Sequence, residues 1–270
     1  MLIVGELINS SRKSIRPLIE EANVRAIQEI ALSQVSKGAD YLDINCGTFV
    51  NDEKEKMLWL IDTVQQVTDK PLCVDSPSAI VLEAGLEACC NGKPMINSIT
   101  AEKERFAQIL PLALKYQAKL VALCMDDSGI PVTPAARFAI AEQLITDLTA
   151  ADIAQDDIYL DPLVQPIATG NMAGMAVLDT ISAIKSKYPA VHCICGLSNI
   201  SFGLPNRALL NGTFLVQTMT RGMDAYILNP TDNKLMGLFY ASNALLGNDN
   251  FCTKYLKAHR QGLYKEENKS

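Results

Sequence analysis

Histidine is scarce in this chain. Only two occur in 270 residues, and His259 lies beyond the last strand-helix repeat, so a Ser-His-Asp relay is excluded. No strand ends in a lysine placed for a Schiff base, and no Gly-rich phosphate loop or dinucleotide fingerprint follows the first strand. Positive charge is also in deficit. The net charge is −6 with no basic run, which excludes nucleic acid as the main partner. Long apolar runs are absent. Met1-Leu2-Ile3-Val4 gives way at once to Gly5-Glu6, so it reads as a first strand rather than a signal peptide or membrane span, and no membrane partner is expected. Eight cysteines with no export signal imply free thiols in a reducing, cytoplasmic setting. Cys89 and Cys90 are adjacent, and Cys193 and Cys195 share one strand face with His192 on the other. That spacing suits buried small hydrophobes better than ligands, and no bound metal is expected.

What is present is a large apolar reserve, 49% of the residues, at a length within reach of a single α/β barrel. Apolar runs predict strands at 2–5, 41–45, 71–76, 94–98, 119–124, 158–162, 190–195 and 224–228. Helical spacing fills the intervals. Pro17 suits a first helical position, and Val24, Ile27, Ala31 and Val35 form one stripe that closes at Gly38. Asp52 and Glu53 open the next helix, with Met57, Leu60, Ile61, Val64 and Val67 inside. Further helices are predicted over 79–90, from Thr100 with Pro111 in its interior, from Thr133-Pro134, and over 171–187, 205–221 and 231–246. Strand-then-helix units of roughly 30 residues specify a parallel sheet. Eight of them without a composition break specify a closed (β/α)8 TIM barrel rather than a doubly wound open sheet. One domain is expected over residues 1–250, followed by a C-terminal extension, 251–270, whose polar tail covers 264–270.

In such a barrel all strand C-termini open on one rim, where chemistry is housed. Here those ends carry Glu6, Asn9, Asp43, Asn45, Asp75, Asn97, Asp126, Asp161, Ser198, Asn199 and Asn229. A single strand-end Asp or Asn is an ordinary helix cap. One at nearly every strand describes a cup of acceptors with some donors. With no nucleophile relay, phosphate loop or metal cluster, the cup suits a flat heterocycle with several N–H groups. A pterin fits. Its 2-amino group and N3–H need acceptors, supplied by Asp75 and Asp161, and its ring N and O atoms need a donor, supplied by Asn97.

The ordered motifs Gly5-Glu6-x-Ile8-Asn9, Leu42-Asp43-x-Asn45, Asp75-Ser76, Met95-Ile96-Asn97-Ser98, Asp161-Pro162-Leu163, Gly196-Leu197-Ser198-Asn199 and Asn206-Arg207 resemble the pterin-binding methyltransferases. The resemblance runs from residue 1 to about 246. It is nearest to the methyltetrahydrofolate:corrinoid protein enzymes, then to the folate domain of cobalamin-dependent methionine synthase and to dihydropteroate synthase. It implies that Asp75, Asn97 and Asp161 grip the pterin, that Asn199 bonds N5, that Gly196 and Ser198 line the site and that Arg207 supports it. Two positions depart from the pattern: Leu7 stands where an Arg is usual, and Phe202 where a polar residue is usual.

The same resemblance implies a substrate, tetrahydrofolate or its 5-methyl form, and a cobalamin-type corrinoid carried by a separate protein that docks on the C-terminal rim. A homodimer is expected by analogy. In the implied reaction cobalt(I) takes the methyl group in line and the N5–methyl bond breaks. N5 keeps the bonding pair and gains a proton, brought by water in the absence of an evident general acid. A carboxamide suits the place beside N5 because it can offer either N–H or oxygen. Two rivals use the same cup: a dihydropteroate synthase-like condensing enzyme, which needs a basic strand-end residue where the seventh strand has Ser-Asn, and a non-catalytic folate-binding subunit.

Overall fold

The computed structural model of this chain describes residues 1–264. Eight short parallel strands form one sheet: β1 (Leu2–Gly5), β2 (Tyr41–Asn45), β3 (Leu72–Asp75), β4 (Met95–Thr100), β5 (Lys119–Leu123), β6 (Ile158–Asp161), β7 (His192–Cys193) and β8 (Ala225–Leu228). Neighbours pair in sequence order from β1 to β7, and β8 returns to pair with β1. The β7–β8 seam is drawn shut by Ile227 N–H on the Cys195 carbonyl at 2.9 Å and by a Gly196–Ile227 bridge. This is the expected (β/α)8 barrel.

Strand alternation sorts the side chains into two cores. Val4, Tyr41, Cys73, Met95, Val121, Tyr159, Ile194 and Ala225, one from each strand region, fill the barrel interior. Their outward neighbours, such as Leu42, Ile44, Val74, Ile96 and Leu160, pack under the helices. Each fully buried aliphatic side chain contributes about 1.5–3 kcal/mol. The inner layer makes a solid floor below the rim.

The helices are α1 (Arg16–Glu20), α2 (Val24–Ser36), α3 (Glu53–Gln65), α4 (Ala79–Ala88), α5 (Lys103–Tyr116), α6 (Pro134–Ala150), α7 (Ala173–Lys187), α8 (Arg207–Thr220), α9 (Asn233–Leu245) and α10 (Thr253–Arg260). Side chains start several of them. Asn23, Ser78, Thr133 and Asp232 each accept a backbone N–H of the first turn. Pro111 lies within α5 without ending it.

Two local expectations need correction. The single helix read from Pro17 to Gly38 is two, because Ala22 turns left-handed (φ 49°) and Asn23 caps a fresh start. The seventh strand is only His192–Cys193. Val191 N–H is held in a turn by the Tyr188 carbonyl, and Leu197–Ser201 forms a 3-10 turn. The C-terminal extension contains α10, although all but Tyr264 of the expected polar tail lies outside the described residues. Among the described residues no helix is long and apolar enough to cross a membrane.

Candidate active site

The C-terminal ends of β2, β3 and β4 bring four polar side chains together. Asn45 donates its Nδ2 to Asp75 Oδ2 at 2.7 Å, and Asn97 reaches Asp43 Oδ1 at 3.5 Å. Asn45, Asp75 and Asn97 are register partners across these strands. Burial pushes the Asp75 carboxyl up to about 6, opposed by the Asn45 bond and by the Arg105 charge. Asp43 is 2% exposed. Burial first, then the Asp75 charge, raises it well above the usual carboxylate range, with bonds from Cys73 and Asn97 opposing. Two facing carboxyls in a partly dry cup cannot both ionise cheaply. An N–H-rich ligand edge would relieve both.

Across the barrel, burial lifts Asp161 to about 7 against bonds from the Leu163 and Gly196 backbone N–H groups and the charge of Arg137. Glu6 is raised by burial and held back by Arg12, whose Nη2 lies 2.5 Å from its Oε1. Arg12 thus brings a guanidinium to Glu6, although Leu7 stands beside it where the pattern has Arg.

Asn199 lies in the 3-10 turn that follows Gly196. Its side chain is exposed, and its carboxamide has no hydrogen-bond partner among the described residues. Three interactions hold that turn from behind. Arg207 Nη2 donates to the Ser198 carbonyl at 2.6 Å, Arg207 Nε to Ser201 Oγ at 3.0 Å, and Ser201 Oγ to Asn211 Oδ1 at 2.7 Å. The Arg207 guanidinium also lies over the exposed Phe202 ring, 5.9 Å from its centroid. Ser198 therefore enters the network through its backbone, and Arg207 through the carbonyl that it holds.

Asn9, Asp126 and Asn229 have a different employment. Asn9 Oδ1 accepts from Ser11, Asp126 Oδ1 from Ser128, and Asn229 Oδ1 from Thr231, each from both the backbone N–H and the hydroxyl. Two bonds from Ser128 hold Asp126 below the usual carboxylate range. These are local turns.

Sequence reasoning missed two arginines. Arg105 of α5 donates to the carbonyls of Ser98 (2.7 Å), Ser76 (3.0 Å) and Pro77 (2.6 Å), tying the loop after Asp75 to the end of β4. Arg137 of α6 does the same work beside Asp161. Each sits in the first turn of a helix that follows a strand, a place beside the rim that the sequence does reveal. Among the described residues no three His, Cys, Asp or Glu side chains converge to hold a metal ion.

Comparison with known proteins adds the following. A family model described as "Pterin binding enzyme" matches residues 5–229. The methylcorrinoid:tetrahydrofolate methyltransferase of Eubacterium limosum is 36% identical over 265 residues, covering 97% of each chain. A methionine synthase of Mycobacterium tuberculosis is 32% identical over 242 residues, 85% of this chain but only 20% of that protein. In three dimensions the Yersinia pestis dihydropteroate synthase matches with a TM-score of 0.67 at 19% identity, covering 91% of this chain and 93% of the other. The Xanthomonas albilineans enzyme matches with a TM-score of 0.69 at 18% identity, over 90% and 92%. At that identity the likeness is one of fold.

Proposed function

The chain belongs to the pterin-binding enzymes, and from that premise we propose that it is a methyltransferase moving a methyl group between N5 of tetrahydrofolate and the cobalt of a separate corrinoid protein. The observation that carries the reading is the free Asn199 carboxamide set beside a cup of carboxyls, in a chain 36% identical along nearly its whole length to a methyltransferase of that kind. Asp75 and Asp161 accept from the 2-amino and N3–H edge of the pterin, and Asn97 donates to the ring. Asn199 faces N5 and stabilises its protonated state as the methyl group leaves. Such a donor is worth about 100-fold or more in rate.

The cobalt substrate arrives on another protein and meets the folate at the open rim. Val50, Ile80, Val132, Met172, Phe202 and Leu209 are exposed apolar side chains on the segments that follow the strand C-termini. A collar of this kind suits a protein surface as partner. A homodimer, a cytoplasmic setting, and the division into a 1–250 barrel and a 251–270 extension complete the reading.

The deciding measurement is a stopped-flow mixture of this protein with a methylated corrinoid protein and tetrahydrofolate. Demethylation changes the cobalt absorbance and yields methyltetrahydrofolate. Folate binding with an unchanging cobalt spectrum would sink the proposal in favour of a non-catalytic subunit. Condensation of a pterin pyrophosphate with 4-aminobenzoate would sink it in favour of a synthase.

A further inference from the structure

We propose that Arg137 is a positioning residue for Asp161, acting through the Pro162–Leu163 peptide group, which guanidinium and carboxylate grip from opposite ends. Arg137 Nη1 donates to the Pro162 carbonyl oxygen at 2.8 Å. The N–H of that same peptide, on Leu163, donates to Asp161 Oδ1 at 2.7 Å. A cation on the oxygen and an anion on the N–H polarise one peptide in one direction, and hydrogen bonds in series strengthen one another. One carboxylate oxygen is thereby fixed.

The rest of the arginine is committed to that loop and to the one that precedes α6. Nη1 also reaches the Leu163 carbonyl at 3.0 Å, Nη2 reaches Gln165 Oε1 at 3.3 Å, and Nε reaches the Pro131 carbonyl at 3.0 Å. Leu163 holds a left-handed φ of 61°, unfavourable for a Leu and kept only where its surroundings impose it. Arg137 is 1% exposed. It sits in the first turn of α6, where the helix dipole disfavours a cation. Helix formation therefore does not account for it, whereas a neighbouring carboxylate does. The other titratable groups facing Asp161 are thiols: Cys124 after β5, and Cys193 and Cys195 on and after β7. Burial raises all three, so they are neutral and Arg137 is the charge that Asp161 feels.

The functional consequence rests on the reading of Asp161 as a pterin acceptor; the relay itself does not. The experiment is a carbon-13 NMR titration of the folate-free protein labelled at aspartate Cγ, with Asp161→Asn identifying the signal. The wild-type midpoint is expected near 7. Arg137→Gln is expected to raise it by about one unit and Arg137→Lys by less. The acid limb of the tetrahydrofolate Kd against pH moves up with it. An unmoved midpoint in a folded Arg137→Gln variant overturns the relay. Should that variant fail to fold, the wild-type Pro162 carbonyl carbon decides. Its shift must titrate with Asp161, and a flat response overturns the relay. Asp161→Asn with unchanged folate affinity would remove the pterin role of Asp161 alone, and the carboxyl titration would still judge the relay.

Discussion

A Cβ placed on Gly196 would lie 3.1 Å from Asn199 Nδ2, so the bare backbone of one residue is the seat of the other's carboxamide. Gly196 has φ −71° and ψ 91°, open to any residue, so the contact rather than the backbone calls for glycine. Gly196→Ala is expected to fold normally, push the amide aside and lower kcat about tenfold or more, with folate Kd little changed. Asn199→Ala should lower kcat about 100-fold. Full turnover in either variant, measured by cobalt absorbance, would detach the carboxamide from the chemistry.

Arg207 bears on the same turn from behind. Arg207→Ala removes the donors to the Ser198 carbonyl and Ser201 Oγ, and should cost about 1–3 kcal/mol in local order. The expected signature is a fall in kcat larger than any rise in KM for folate. Arg207→Lys should recover part of it through one remaining bond. A pure KM effect would instead place Arg207 in folate binding.

Asp75 sets binding against stability. Its folded pKa is raised from 3.8 to about 6, so the stability it contributes is present below pH 3.8 and lost as pH rises through 6. Asp75→Asn abolishes that loss, and the replacement amide's oxygen can still accept from Asn45. The folate-free variant should melt higher than wild type at pH 8 and no higher at pH 4. Its folate affinity should drop about tenfold or more, because an amide presents one acceptor where the carboxylate presents two. A variant with wild-type melting at both pH values would mean that the buried charge is relieved in some other way.

His192 supplies a second pH dependence, at the opposite end of the barrel. Its Nδ1 lies 3.0 Å from Asp224 Oδ2 and its Nε2 lies 3.1 Å from Asp156 Oδ1, while its ring stacks on Tyr159 at 4.6 Å. The Asp224 bond raises its pKa above 6.5, against burial, with Asp156 helping and the Lys185 charge opposing. A raised imidazole gives stability that is full below 6.5 and lost as pH rises through the folded value. His192→Gln should therefore lower Tm by about 2–4 °C at pH 5.5, for about 1 kcal/mol of charge-assisted bonding, and by less at pH 9. An equal deficit at both pH values would leave only the stacking.

Much of this architecture is visible in the chain itself. Short apolar runs, each ended by an Asp, Asn or Gly and followed by a 3.6-residue stripe, announce the strands and their rim. The same pattern could not separate residues that face the cup from those that bend back. Asn9, Asp126 and Asn229 look like Asp75 in sequence, yet each spends its Oδ1 on both the backbone N–H and the hydroxyl of the residue two on. Arg105 and Arg137 were hidden by the opposite habit. An arginine on a helix usually reads as solvated surface, and only the fold shows a guanidinium turned inward to collect loop carbonyls. Helix α10 escaped because it buries little besides Ala258, leaving periodicity almost nothing to detect.

The filled interior of the barrel has a bearing on traffic. With Val4, Tyr41, Met95, Tyr159 and their neighbours stoppering the lower end, the basin is reached from the rim. Whatever rests at the bottom must enter before anything larger covers the opening, and must wait for that cover to lift before it can leave.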